Sequence, residues 1–287
     1  MVSFKNILNN LNLEVDGIYS GLKSNANDQK LEISLRELVA SKNYSNYLKS
    51  VAKSHSIKVM DYEVERFLKK MPQNAVILDI GGCWGWHWRK INIIRSDIKI
   101  IIVDFVRSNL IHAKKVLGDL VGNQINLVHA DATNLPFEVN KNFKGFNGVW
   151  SVQTFQHIPN FSKAIKEVNR LLLKKGFFIN YSLRNTPLNM LVFKIFGKKY
   201  HKKGEVNGSY YLERASKNQL RTLTDYFGKE NVFVNYSETL FHPDLKFTFS
   251  GKEDNYLGYL DILLSFIKPF AYFISRQSSF LCKKNNI

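Results

Sequence analysis

The chain has 287 residues, 45% of them hydrophobic, which suits one large α/β domain with additions. Lys and Arg outnumber Asp and Glu by 41 to 24, a net charge of +17; this calls for nucleic acid, a phosphorylated substrate or an anionic membrane surface as partner, or else for basic residues spread over a solvated surface. The two cysteines, Cys83 and Cys282, give no disulfide framework and no zinc-ligand spacing, and no uncharged apolar run is long enough for a spanning helix.

In chain order, residues 1–74 read as a polar helical cap. Residues 1–10 lack a basic start followed by an apolar run, so a signal peptide is not expected and a cytoplasmic location is. Ser34 and Glu37 have capping-box spacing. Val64, Phe67, Leu68 and Met71 recur at helical spacing, and Pro72 stops that helix. From residue 75 short apolar strands alternate with amphipathic helices. Strands are expected at 75–80, 99–104, 125–130, 145–151 and 176–181. Phe161, Ala164, Ile165, Val168, Leu171 and Leu172 mark the buried face of a helix between the last two. Near-continuous apolar strands separated by helices imply a parallel sheet covered on both faces. Right-handed crossovers make it doubly wound, with ligands at the carboxyl ends of its strands.

Ser216 and Gln219 form a second capping box, opening a helix that Gly228 ends. Strands at 232–236 and 245–249 complete the expected fold. It is an α/β, Rossmann-like, mostly parallel seven-stranded sheet, with the helical cap before it and an extension after it. The implied organisation is a cap over 1–74, a ligand-binding domain over 75–250 with a basic apolar insertion at 187–204, and an apolar, basic tail over 251–287.

The first strand ends in Asp79, Gly81, Gly82, Cys83 and Gly85. Glycines at a strand-to-helix turn allow tight backbone angles and close approach of a ligand to main chain. An acid just before such a turn repels a pyrophosphate and suits a cationic amino group. The G-x-G-x-x-G spacing also fails, because no glycine lies two places after Gly81. The turn therefore argues against a dinucleotide.

Taken with residues 129–137 and 146–159, this loop resembles the class I S-adenosylmethionine (SAM)-dependent methyltransferases, in particular the methyltransferase type 11 group. That family's D-x-G-x-G-x-G motif is met at Asp79, Gly81 and Gly85, with Cys83 in place of the central glycine. Asp131, Ala132, Leu135, Pro136 and Phe137 match x-D-A-x-x-L-P-F. Phe146, Val149, Ser151, His157, Ile158 and Pro159 match F-D-x-V-x-S-x-x-x-x-x-H-I-P, with Asn147 replacing the usual Asp. Lys174, Lys175 and Gly176 resemble the turn that follows. The resemblance covers residues 75–183 and extends loosely to 228.

The resemblance implies SAM as cofactor. It implies contacts from Asp79, Gly81, Gly82 and Gly85 in the first loop and from Ser151 further on. Asp104, 25 residues after Asp79, is placed to accept the ribose hydroxyls, and Phe105 to cover an adenine face. Asp131 and the backbone of Ala132 would read the adenine edge. His157, near the methyl end, is the candidate general base, with His87 and His201 behind it. No metal is expected. Trp84, Trp86 and Trp88 either wall the ligand or pack the first loop.

The expected reaction is O-methylation of a small-molecule, sugar or lipid-linked acceptor. Segments 187–204 and 256–284 offer a peripheral membrane contact. Two alternatives stand beside it. The charge motivates a nucleic-acid-associated methyltransferase, although the chain has no N/D-P-P-Y/F amine motif. Cys83 motivates a non-catalytic scaffold with a degenerate loop.

Overall fold

The computed structural model of the chain describes residues 3–22, 47–206 and 210–285. The capping box expected at Ser34 and Glu37 lies outside the described residues.

The strands are β1 (Asn12–Leu13), β2 (Tyr19–Ser20), β3 (Val76–Ile80), β4 (Lys99–Asp104), β5 (Ile125–His129), β6 (Phe146–Val152), β7 (Leu172–Leu183), β8 (Lys203–Val206), β9 (Tyr210–Glu213), β10 (Val232–Ser237), β11 (Phe241–His242), β12 (Phe247–Thr248) and β13 (Gln277–Lys283). The α-helices are α1 (Phe4–Leu8), α2 (Tyr47–Val51), α3 (Ile57–Leu68), α4 (Ile91–Ile94), α5 (Arg107–Leu117), α6 (Phe161–Leu171), α7 (Pro187–Ile195), α8 (Lys217–Phe227), α9 (Leu257–Ser265) and α10 (Lys268–Ile274).

The main sheet runs β1-β2-β5-β4-β3-β6-β7-β13-β10. Its central strands β5, β4, β3, β6 and β7 are parallel, as their apolar composition requires. Alternation along β4 shows why each strand is apolar throughout. Ile100 and Ile102 enter one core layer, while Ile101 and Val103 enter the other. α6 covers one face, with Phe161, Ala164, Ile165, Val168 and Leu171 buried at helical spacing. The Asn160 side chain caps it by accepting from the Lys163 N–H. Strand order reverses at β3, which has β4 on one side and β6 on the other. A crevice opens at the carboxyl ends of strands at such a reversal.

Four expectations are corrected. The main sheet has nine strands, and the described part of residues 1–74 supplies two of them. β1 and β2 form a hairpin, and β2 pairs in parallel with β5, Tyr19 opposite Val128. The strand expected at 245–249 shrinks to β12, which pairs with β11 outside the main sheet. The strand that completes the far side is β13, drawn from the segment read as a tail. It lies antiparallel between β7 and β10, with Phe280 opposite both Asn180 and Val234. Its first residues, Gln277, Ser278 and Ser279, are polar yet buried, so the sequence carries no alternating pattern there. The turn expected at 174–176 is absorbed into β7 as a kink, with Lys175 at φ 63°.

Because β13 sits inside the sheet, Phe280→Ala is expected to cost about 3–5 kcal/mol of folding stability, the range for a buried aromatic truncated to Ala. Urea denaturation measures this. A cost below about 1 kcal/mol, within the range of ordinary surface substitutions, would contradict the placement of the strand inside the sheet.

Candidate functional site

A cavity of about 520 Å³ opens at the carboxyl ends of β3, β4, β5 and β6. That volume suits a ligand of nucleoside size. One side is the loop after β3, with Gly81, Gly82 and Cys83. The second strand contributes Asp104, Phe105 and Val106, and the third contributes Ala130, Asp131 and Ala132. Val152, Gln153, Thr154 and His157 follow β6, and residues 50–55 supply the opposite rim through Ser54 and His55 among others.

Asp104 is buried and bonded on both oxygens. Oδ2 accepts from the Cys83 backbone N–H at 3.0 Å. Oδ1 accepts from the Val106 N–H at 2.8 Å and from Asn109 Nδ2 at 3.2 Å. One carboxylate thus ties the glycine loop to the start of α5. Asp131 accepts from the Thr133 N–H at 2.7 Å, forming a local turn with no helix after it. Phe105 offers its carbonyl to His129 Nε2 at 3.0 Å.

The glycines are demanded by the protein itself. Gly81 has φ +70°, and a Cβ there would lie 2.0 Å from Thr154 Oγ1. A Cβ on Gly82 would lie 2.3 Å from Asp79 Oδ2. Cys83 stands at φ 50°, so it keeps the left-handed backbone that a glycine would take freely. The substitution therefore leaves the loop in a glycine-like conformation.

Three expected contact residues stand away from the cavity wall. Asp79 is sealed beneath the loop, where its Oδ2 accepts from Trp88 Nε1 at 2.7 Å. It props the loop from below and does not line the cavity. Ser151 is fully buried and donates to the Ile80 carbonyl at 2.8 Å, linking β6 to β3. Gly85, at φ +66°, packs toward Leu117 instead of the cavity. Gly81, Gly82, Asp104, Phe105, Asp131, Ala132 and His157 do converge on the cavity.

His157 ends a single 3₁₀ turn, Phe155–His157. Its Nδ1 lies 2.8 Å from the Tyr211 carbonyl, so Nδ1 carries the proton and donates. Nε2 then accepts from Gln156 Nε2 at 3.1 Å. The tryptophans divide: Trp88 packs the loop, while Trp84 and Trp86 line the cavity.

Sequence reasoning missed Thr154, Asn109 and His55, and it ranked His87 low. Asn109 lies five residues after Asp104, a spacing that places it on the first turn of α5 facing back. His55 lies in the cap region, and nothing in its local sequence signals a place on the cavity rim.

The crevice at the strand reversal, with its acids at the ends of the second and third parallel strands, defines a nucleoside-binding α/β domain. Residues 78–180 match the family described as a methyltransferase domain. Over these residues the chain is thus similar to the class I SAM-dependent methyltransferases, and SAM is the cofactor that this class uses. Over 139 residues it is 32% identical to a demethylmenaquinone methyltransferase of Staphylococcus saprophyticus. The match covers 47% of this chain and 57% of that relative, so the chain spans little more than half the relative's length. In fold it is similar to a Haemonchus contortus phosphoethanolamine N-methyltransferase 2 solved with phosphomonomethylethanolamine and S-adenosylhomocysteine. There the TM-score is 0.51 and the identity 18%, covering 78% of this chain and 53% of that one. It is also similar to the [4+2]-cyclase SpnF, with a TM-score of 0.54 and 11% identity, covering 78% and 81%. A fold shared by a methyltransferase and a cyclase leaves the acceptor chemistry to the site.

Burial raises the Asp79 pKa from 3.8 to about 7; the nearby Asp104 charge adds to the rise and the Trp88 hydrogen bond opposes it. Between about pH 4 and pH 7 the unfolded chain has lost a proton that the folded chain retains. Asp79's contribution to stability is therefore full below about pH 4 and is lost as pH rises toward 7. Asp79→Asn keeps an acceptor for Trp88 and removes the titration. Chemical denaturation across that window should show a flatter decline in the variant; equal slopes in both proteins would refute the buried placement.

Proposed function

We propose that this chain transfers the methyl group of SAM to a hydroxyl of a small-molecule, sugar or lipid-linked acceptor, which it meets at a membrane surface. The observation that carries the reading is the cavity itself, where Gly81, Gly82, Asp104 and Asp131 converge from three adjacent parallel strands.

The donor set suits the cofactor. Asp104 presents a carboxylate for vicinal hydroxyls and is held in orientation by the Cys83 and Val106 N–H groups. Phe105 and Ala132 supply apolar surface beside Asp131, which is suited to an adenine edge. The loop backbone at Gly81 and Gly82 faces the remaining part of the ligand. When bound, SAM supplies a methyl group already activated on a sulfonium, so the protein's task is to position the acceptor and take its proton. In this reading His157 takes that proton. The Tyr211 carbonyl fixes Nδ1 as donor and leaves the lone pair on Nε2, from which the Gln156 amide must swing away.

The membrane part rests on a surface feature. α9 and α10 are bent by 112° and expose Leu257, Tyr259, Leu263, Phe266, Ile267 and Phe273, among others. Among the described residues no single helix is long and apolar enough to cross a bilayer, but such a bent pair can lie in an interface. α7 packs on α10 and adds exposed Leu191 and Ile195, with Phe196 just beyond. Lys194, Lys198, Lys199 and Lys268 are exposed around this apolar face, the arrangement that attracts anionic headgroups. The bent pair connects to the cavity through β13. β13 starts three residues after α10 with Gln277, whose Oε1 accepts from the cavity residue Gln153 at 3.2 Å.

Calorimetry with SAM tests the cofactor reading. Asp104→Ala should weaken SAM binding at least tenfold, in line with roughly 1.5–3 kcal/mol for hydrogen bonds to a charged group. No binding by the wild-type protein, or equal affinity in the variant, would overturn it.

Vesicle co-sedimentation tests the membrane reading. The wild-type chain should pellet with phosphatidylglycerol vesicles, and the paired substitutions Leu263→Glu and Phe266→Glu should reduce this severalfold. Point substitutions are required because a truncation at α9 would also remove β13. Background-level pelleting of the wild-type chain would discard the membrane contact.

A further inference from the structure

Gln156 stands beside His157 on the 3₁₀ turn after β6 and is 2% exposed. Its Oε1 accepts from the Leu183 N–H at 3.0 Å, at the end of β7. A backbone N–H can only donate, so the amide oxygen must face Leu183 and the amide nitrogen must face His157. On the other side of the ring, the Tyr211 carbonyl lies 2.8 Å from Nδ1 and can only accept. Two main-chain groups, one on β7 and one on β9, therefore fix the hydrogen bonds of the ring independently and to the same end. Nδ1 carries its proton, and Nε2 accepts from Gln156 Nε2 at 3.1 Å.

We propose that Gln156 is a positioning residue: its amide caps the His157 lone pair and keeps the ring neutral until an acceptor hydroxyl displaces it. The physical reason is a conflict of donors. A protonated imidazole carries hydrogen on both nitrogens, so its Nε2–H would point at the Gln156 amide hydrogens. Protonation must then break that bond, while Leu183 still holds the amide from its other end. A hydrogen bond to the neutral form disfavours the charged form, so the ring titrates below the ordinary histidine range. An uncapped histidine loses its lone pair as pH falls through about 6.5; the capped ring keeps it at lower pH. A hydroxyl that displaces the amide gives its proton to Nε2, and the charged ring then no longer faces a donor. The elements packed against the turn are β9, β7 and α6. On β9, Tyr210 meets the ring edge-on at 5.5 Å, and the Tyr211 phenol donates to Glu213, which pairs with Lys203 at 3.1 Å. On β7, Tyr181 donates to Glu63 at 2.7 Å. On α6, Lys163 and Lys166 are exposed, and Glu167 pairs with Arg170 at 2.6 Å. The cavity wall adds Lys53, His55, His87, Asp104 and Asp131.

The cap rests on the reading of His157 as the group that takes the proton, and one experiment separates the two. Long-range proton–nitrogen correlation NMR on the full, nitrogen-labelled chain reads the tautomer and the titration of each histidine ring. The His157 signals are those missing from His157→Asn. In the wild-type chain His157 should be neutral, protonated on Nδ1, and should titrate below about 6.5, the ordinary histidine value. Gln156→Glu keeps an acceptor for the Leu183 N–H and turns the donor facing Nε2 into an acceptor. It should raise the His157 midpoint by about 1–3 pH units, the range for an opposite charge placed beside an ionisable group. A wild-type midpoint at or above about 6.5, or the same midpoint in both proteins, overturns the cap alone. A neutral ring protonated on Nε2 overturns the base reading and the cap with it, because no lone pair is then available there. The wild-type measurement stands by itself should the variant fail to fold.

Discussion

The geometry of the cavity depends on one carboxylate. Asp104 closes the second parallel strand, and its two oxygens are shared between the glycine loop at Cys83 and the first turn of α5 at Val106 and Asn109. Loop position, helix position and the floor of the crevice are set together. Hydrogen bonds to a charged acceptor are stronger than neutral ones, and low local dielectric strengthens them further. The same orientation leaves the carboxylate on the cavity wall, so the group that organises the site is also the one suited to bind a sugar there.

The loop above Asp104 is shaped from beneath by Asp79. Trp88 holds that carboxyl in the core, and burial favours its protonated form near neutral pH. Gly82 is required because a side chain there would strike Asp79, and Gly81 because one would strike Thr154. The motif spacing thus encodes packing between the loop and its own support, and ligand access follows from that packing. Cys83 fits the same scheme, since its backbone takes the conformation that the loop demands.

The far rim of the cavity is held by the C-terminal part of the chain. Glu238 is fully buried, accepts from the Ser56 N–H at 3.0 Å and pairs with Arg276 at 2.8 Å. Arg276 also donates to the Ser54 carbonyl at 3.0 Å, so the rim segment bearing Ser54 and His55 is fixed to the residue preceding β13. Asp261 on α9 accepts from the Thr239 and Leu240 N–H groups and from the Ser250 hydroxyl. A buried ion pair of this kind contributes little net stability, but losing one partner leaves an uncompensated charge. Its structural effect is to join the apolar bent pair, β13 and the cavity rim into one unit.

Amphipathic and apolar periodicity determined the five central strands, the helix bearing Phe161 to Leu171, and the convergence of Asp104 and Asp131 on one edge. These are local patterns, and parallel pairing with right-handed crossovers leaves few ways to arrange them. Tertiary structure alone decided what depends on partners distant in sequence. Gln277, Ser278 and Ser279 begin an interior strand because β7 and β10 satisfy their backbone groups, although their side chains carry no strand signal. Asp79 and Ser151 turn inward because Trp88 and the Ile80 carbonyl await them. His55 meets His87 and Trp86 only because residues 54–56 are anchored to Glu238 and Arg276, some 180 to 220 positions away. A motif fixes which residue types stand near a turn; the direction each side chain faces depends on what the rest of the chain packs against it.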